Sequence, residues 1–255
     1  MRVTRILITG SADGLGLMAA RLLIAQHHEV VLHARSPSRA ADARAAAPGA
    51  ADVVVGDLSI MAEVRAVAEQ ANATGRFDAV IHNAAVGYQE PRRIVTVDGL
   101  AHVFAINTLA PYLLTAMITR PDRLVYLSSG MHRGGDDSLA DLQWETRRWN
   151  GSQAYADSKL HDALLAFAVA RYWPDVRSNA VDPGWVATKM GGPGAPDDLS
   201  QGHRTQAWLA VSDDGTGGYY FHRSRAGASA AAGDPDIQDR LVATCAELTG
   251  TPLPR

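Results

Sequence analysis

The chain opens with an aliphatic run, Val3 to Thr9, which breaks on the turn Thr9 Gly10 Ser11 Ala12 Asp13 Gly14 Leu15 Gly16 and passes at once into an Ala- and Leu-rich helical pattern. A strand that ends on three glycines and re-emerges as a helix leaves few options. The glycines let the backbone approach a bound group closely, and the first turn of the helix offers unpaired N–H groups and partial positive charge. That combination suits a pyrophosphate. The spacing, glycine, three residues, glycine, one residue, glycine, differs from the commoner G-x-G-x-x-G arrangement.

The same alternation continues along the 255 residues. Short β-branched runs predict strands near 3 to 9, 29 to 34, 52 to 56, 77 to 82, 122 to 128, 176 to 182 and 218 to 222. Helices are expected near 14 to 27, 38 to 46, 60 to 73, 97 to 118, 152 to 172, 198 to 211 and 236 to 249. This is the pattern of βαβ units: an α/β fold in one domain, 1–255, with a doubly wound parallel sheet of about seven strands and helices on both faces in three α/β/α layers. The polar stretch 131–151, with Trp144 and Trp149, interrupts the pattern and reads as a surface insertion whose tryptophans pack on the body.

Composition removes several classes of function. The formal net charge is -3 with no long block of one sign, so neither nucleic acid nor an acidic membrane surface is an expected partner. No apolar run approaches the ~20 residues of a membrane helix, and the first glycine comes too early for a signal peptide, which predicts a cytoplasmic protein. The single cysteine, Cys245, reads as a buried, idle thiol. The nine histidines form no HExxH or Cys/His cluster, so no metal is expected.

The second strand predicts which dinucleotide the turn serves. An NAD site would carry an acidic residue at that strand's end, to grip the ribose 2′-hydroxyl. Here the chain reads Val31 Leu32 His33 Ala34 Arg35 Ser36, with Arg39 a turn later. Guanidinium donors beside a neutral wall suit a 2′-phosphate, so the expected cofactor is NADP(H).

The candidate chemistry lies further on. Tyr155 and Lys159, four residues apart, share one helix face. Lowering a phenol pKa by ~3 units takes about 4 kcal/mol, which one cation at ~4 Å supplies at an effective dielectric of ~20. Lysine occurs only at 159 and 189 against 22 arginines, so its place here is not a matter of general basic composition. Upstream, the strand Arg123 to Leu127 ends on Ser128 and Ser129, and Ser129 could hold a carbonyl oxygen. Downstream, Asp182 Pro183 Gly184 Trp185 Val186 Ala187 Thr188 leads a strand into a turn that could close over a nicotinamide.

Together these motifs resemble the short-chain dehydrogenase/reductase family in its single-domain, Rossmann-like form. The glycine turn resembles TGxxxGxG, with Gly10, Asp13, Gly14, Leu15 and Gly16 facing the cofactor. Asp57 Leu58 resembles the family's adenine-contacting pair. His82 Asn83 Ala84 Ala85 resembles NNAG, with His82 and Ala85 departing from it. Tyr155 to Lys159 resembles YxxxK, and Pro183, Gly184, Val186 and Thr188 resemble PGxVxT.

The resemblance implies that Tyr155 exchanges a proton with a small, apolar carbonyl or alcohol substrate, while Ser129 orients its oxygen. Lys159 would lower the Tyr155 pKa and bind the nicotinamide ribose, and Asn107 would hold a proton-relay water. The 26-residue separation of Ser129 from Tyr155, with His132 Arg133 and Trp144 Glu145 between them, is similar to the retinol dehydrogenase and protochlorophyllide reductase branch.

A catalytically silent NADP-binding sensor or scaffold of the same fold is the main alternative. A nucleotide-sugar epimerase would need a larger C-terminal part than the roughly 65 residues after Thr188. The Gly- and Pro-rich segment 189–200 reads as a substrate lid. By analogy with relatives, a homodimer or homotetramer would pair through the helices near 97 to 118 and 152 to 172.

Overall fold

The computed structural model describes residues 3–254. Its strands are β1 (Arg5–Ile8), β2 (Glu29–Ala34), β3 (Asp52–Val55), β4 (Ala79–His82), β5 (Arg123–Leu127), β6 (Arg177–Asp182), β7 (Tyr219–Phe221) and β8 (Ser224–Ala226). They form one sheet in the order β3-β2-β1-β4-β5-β6-β7-β8, parallel throughout except for the β7/β8 pair. The chain winds outward from β1 in both directions, so the crevice between β1 and β4 is the topological switch point, where ligands bind in open α/β sheets.

Helices α1 (Gly14–Ala25) and α2 (Pro37–Ala46) join the first three strands, and α3 (Met61–Ala73) leads to β4. Next come α4 (His102–Phe104) and α5 (Ala110–Met117), then α6 (Gly151–Tyr172) after β5. The C-terminal part adds α7 (Leu199–Gly202), α8 (Arg204–Leu209) and α9 (Pro235–Thr249). Each sheet face carries its own core. Leu7, Val31, Val80, Leu124 and Ala180 pack under α3, α5, α6 and α9, while Ile6, Ile8, Leu32, Ile81 and Val125 pack on the side of α1, α2 and α8. Strands buried on both faces explain the near-continuous β-branched runs. Local chemistry sets the helix ends: Ser36 caps α2 ahead of Pro37, Asn150 caps α6, and Asp234 with Pro235 starts α9, which stops at Gly250 in the left-handed region.

Three expectations need correction. An eighth strand is present, because His222 and Arg223 adopt φ of 49° and 61° and turn the chain back into a short antiparallel hairpin. The expected helix over 97 to 118 is broken: Ala105–Leu109 forms a π turn between α4 and α5. The expected helix over 198 to 211 is two, parted at His203. Helix α6 is mostly buried, 15 of its 22 residues being enclosed while Ser152 and Arg171 are exposed. Its own chain covers it, through α9 and the turn after β5.

Within 131–151, Trp144 is buried against Val103, Ala154 and Trp149. The Arg147 guanidinium lies 3.7 Å over the Trp144 ring and pairs with Asp157 at 2.7 Å and Asp136 at 3.2 Å. Cys245 is fully buried in α9, and burial pushes its thiol up. No helix among the described residues is long and apolar enough to cross a membrane.

Two histidines are enclosed without charge. His82 Nε2 meets the Thr115 hydroxyl and His161 Nδ1 meets that of Thr108, each at 3.0 Å, and burial lowers both imidazoles to about 3. The unfolded chain protonates them near 6.5, so between about pH 6 and pH 4 it binds the more protons and stability rises with pH, by about 1.4 kcal/mol per pH unit for each group. Urea unfolding across this range is expected to show that slope, and His82→Asn to remove roughly half of it. A slope unchanged by His82→Asn would contradict the assignment.

Candidate active site

At the switch point a cleft of about 780 Å³ runs from the glycine turn past the ends of β2 and β4 to α6. Thr9 assembles its floor: the hydroxyl accepts the N–H groups of Asn83 and Ala84, each at 3.0 Å. Asn83 returns two bonds, donating to the carbonyls of Thr9 and Gly10. Gly10 has φ of 62°, and a Cβ there would fall 2.8 Å from the Ala84 Cα, so the two loops can meet only at glycine. Gly16 plays a similar part, because a Cβ would press on the Asn83 amide and the Gly10 carbonyl. It sets the turn without lining the cleft.

His33 supports the turn from below, a role the sequence did not announce. Gly10 N–H donates to its Nδ1 at 2.9 Å, which places the ring proton on Nε2, where it donates to the Gly56 carbonyl at 2.9 Å. Burial lowers the His33 imidazole, in keeping with this neutral form.

Helix α1 begins with no side-chain cap. Asp13, which occupies the capping position, instead pairs with Arg39 at 2.8 Å and with Lys189 at 2.9 Å. The first-turn amides are therefore unclaimed by the carboxylate that could have capped them. Arg39 is further tied to Asp42, so the expected two-arginine fork reduces to Arg35, an exposed residue on the cleft rim with no ion pair among the described residues. Asp57 and Leu58 also line the cleft, with the Asp57 carboxylate accepting the Ser59 N–H.

At the other end stand Tyr155 and Lys159, both buried and both lining the cleft. The structure differs from expectation in how they are coupled. The Lys159 ammonium sits 5.4 Å from the Tyr155 ring centre and is engaged elsewhere, donating to the Leu127 carbonyl at 2.7 Å and to the Asp162 carboxylate at 2.8 Å. Burial raises the Tyr155 phenol above its ordinary range; Lys159 opposes this, and Asp162 and Asp182 reinforce it. In place of one lone cation, the folded chain presents an ion pair in which Asp162 works against the effect of Lys159 on the phenol.

Burial pushes the Asp162 carboxyl up to about 6 even beside Lys159. For Lys159, burial works against the charge, but Asp162 and Tyr155 more than offset it and hold the ammonium above its usual range. Nothing in the sequence marked Asp162 as a partner.

Ser129 lies two residues beyond β5, half-buried and outside the cleft lining, its hydroxyl accepting the Met131 N–H at 3.2 Å. His132 fixes that turn: its Nδ1 donates to the Ser129 carbonyl at 2.7 Å, and its Nε2 accepts the Ser229 N–H at 3.0 Å. The neighbouring Ser128 lines the cleft and donates to the Lys159 carbonyl. Asn107 lies in the π turn, where its amide accepts from Val86 N–H at 2.8 Å and donates to the Val86 carbonyl and the Ser158 hydroxyl, each at 3.0 Å. It thus joins the loop after β4 to α6.

Pro183 and Thr188 line the cleft; Gly184 and Val186 do not, the Gly184 N–H donating to the Asp182 carboxylate at 2.9 Å and the Val186 carbonyl accepting the Thr188 N–H at 2.8 Å. Met190 and Leu199, from the segment read as a lid, close one side.

Residues 4–130 match the family model described as short chain dehydrogenase. The short-chain dehydrogenase chry4 of Gibberella zeae is 43% identical to the chain, over 99% of each. The chain belongs to the short-chain dehydrogenase family. Human retinol dehydrogenase 14 is 32% identical over 73% of this chain and 62% of its own, in line with the branch that the long Ser129–Tyr155 separation resembles. The crystal structure of an uncharacterized protein from Mycobacterium paratuberculosis superposes with a TM-score of 0.87 at 27% identity, covering 99% of this chain and 95% of the other. As a short-chain dehydrogenase the chain is an oxidoreductase.

Proposed function

We propose that this dehydrogenase interconverts a carbonyl and an alcohol on a small molecule with NADP(H), and that Tyr155 is its general acid and base. The observation that carries the reading is a single cleft that joins an uncapped helix start and a free arginine at one end to a buried tyrosine and lysine at the other.

The residues fit a phosphorylated dinucleotide. The α1 amides and Gly14 would receive the pyrophosphate, Arg35 the 2′-phosphate, Asp57 and Leu58 the adenine, and Pro183 to Thr188 the carboxamide. When bound, the cofactor supplies or accepts a hydride. Tyr155 would give its phenolic proton to the developing alkoxide in reduction and take it back in oxidation. Ser129 would donate to the same oxygen, and His132 would hold the Ser129 turn in register. Lys159 would steady the phenolate once it forms, Asn107 would keep the loop after β4 against α6 beside a proton-relay water, and segment 189–200 would cover the substrate.

Calorimetric titration tests the cofactor assignment. NADPH is expected to bind at least tenfold tighter than NADH, a gap of about 1.4 kcal/mol. Arg35→Ala should abolish that gap by weakening NADPH alone. Tighter binding of NADH to the unaltered chain would overturn the assignment.

A further inference from the structure

Near Tyr155 the cleft holds a second titratable pair that the proton transfer leaves unused. His102 begins α4 and lies one helical turn before Ile106, and both side chains line the cleft. The His102 Nδ1 is 2.6 Å from a carboxylate oxygen of Glu90. Glu90 is anchored to the tyrosine's own wall: its carbonyl accepts the Trp149 Nε1–H at 2.9 Å and lies against Gly151, the first residue of α6. Two residues earlier, the Tyr88 ring stands edge-on to Tyr155 at 5.7 Å.

The pair has a polarity. The carboxylate accepts the Nδ1 proton, which leaves the lone pair of the neutral ring on Nε2. The His102 side chain is 25% exposed, and its Nε2 has no hydrogen-bond partner among the described residues and is not enclosed. The second Glu90 oxygen is buried with no hydrogen-bond partner, so this wall has acceptor capacity to spare. Of the other cationic lining residues, Arg35, Arg39 and Lys189 gather at the Asp13 end of the cleft, and Lys159 is paired with Asp162 at 2.8 Å. A carboxylate or phosphate on the substrate would find no free cation beside His102.

We infer that His102, oriented by Glu90, is a specificity-determining residue that accepts a hydrogen bond from an O–H or N–H group on the carbonyl substrate, a phenol or an amide for example. This rests on the carbonyl–alcohol reading and refines it: the substrate is polar at a point away from the reacting carbon. A site built to accept such a bond disfavours the analogue that lacks the donor, because the acceptor is then left dry and unpaired.

Two measurements test it. In the first, kcat/KM with NADPH is compared for hydroxyacetophenones and the matching methoxyacetophenones, with the substituent walked around the ring. At least one hydroxyl member is expected to exceed its methoxy partner by about tenfold, and His102→Leu to bring that ratio close to one. A ratio that survives His102→Leu, as it would if the pair only clamped α4 to the loop, overturns the inference, and so does a wild-type ratio near one at every position.

In the second, imidazole ¹⁵N resonances are followed while the full chain is titrated with phenol or with anisole. Phenol is expected to shift the His102 Nε2 signal and anisole to leave it; equal responses, or none, overturn the inference. Absence of NADPH binding or of all ketone turnover would instead remove the dehydrogenase reading, and the phenol titration would still decide the role of His102.

Discussion

Replacing Tyr155 by Phe is expected to lower turnover about 10³-fold while NADPH affinity changes by less than about threefold. The substitution removes one oxygen and keeps the ring that packs edge-on to Tyr88. Cofactor binding, assigned to the glycine turn, Arg35 and the 183–188 segment, should therefore be spared. Because burial holds the phenol above its usual range, the group favours the protonated form before the cofactor arrives, which suits a proton donor to a carbonyl. Single-turnover kinetics with a reducible ketone and calorimetry on the same preparation give both quantities. Turnover within tenfold of the unaltered chain would end the assignment of Tyr155 as acid and base.

The second large effect concerns the buried ion pair behind it. Asp162→Asn is expected to cost about 3 kcal/mol of folding stability, since it leaves the Lys159 ammonium, whose side chain is only 3% exposed, without a counter-charge. Replacing both residues with apolar groups, as in Lys159→Met with Asp162→Leu, should restore most of that stability and leave no activity. Attraction and desolvation nearly cancel in such a pair, so removing both charges costs less than removing one.

Lys159→Met alone has a different signature. Its remaining carboxyl is already pushed up to about 6 by burial, and more so without the lysine. The folded state then binds the more protons from the ordinary carboxylate range upward to beyond about 6. The stability of this variant is therefore expected to be fully present at low pH and to fall as pH rises from the ordinary carboxylate range to beyond the value of about 6 seen with Lys159 in place. Urea unfolding of the three variants at pH 5 and pH 7.5 measures all of this. A loss below about 1 kcal/mol in Asp162→Asn would show that water or a neighbour already compensates Lys159.

Residues 131–151 and the C-terminal helices show how local signals and tertiary context divide. Asn150, Ser36, Asp234 and Gly250 mark helix ends by chemistry confined to a few neighbouring residues, and the boundaries expected there lie within a residue or two of those found. The hairpin of β7 and β8 had no such marker. Its turn uses His222 and Arg223 with positive φ, where glycine or asparagine would have announced it, and Arg223 is held by the Thr205 hydroxyl from α8. The π turn was equally silent, because the bonds between Asn107 and Val86 cross 21 residues and the apolar periodicity of the helix continues through it.

The sequence by itself determined the alternation of strands and helices, the glycine turn and the helix start behind it, the absence of a carboxylate after β2, and the Tyr155–Lys159 face. All of these follow from spacing along one element or from the conformational freedom of single residues, and both are local properties. Only the tertiary structure decided that α6 is buried around Lys159, so that this lysine meets Asp162 in a dry environment where their charges oppose each other. It likewise decided that Asp13 turns from the helix it could cap toward Arg39 and Lys189, that His33 and His132 act as neutral struts, and that Glu90 reaches His102 at the cleft wall. Burial and the long-range pairing of charges depend on what the rest of the chain places around a residue, and no pattern of neighbours in sequence specifies that.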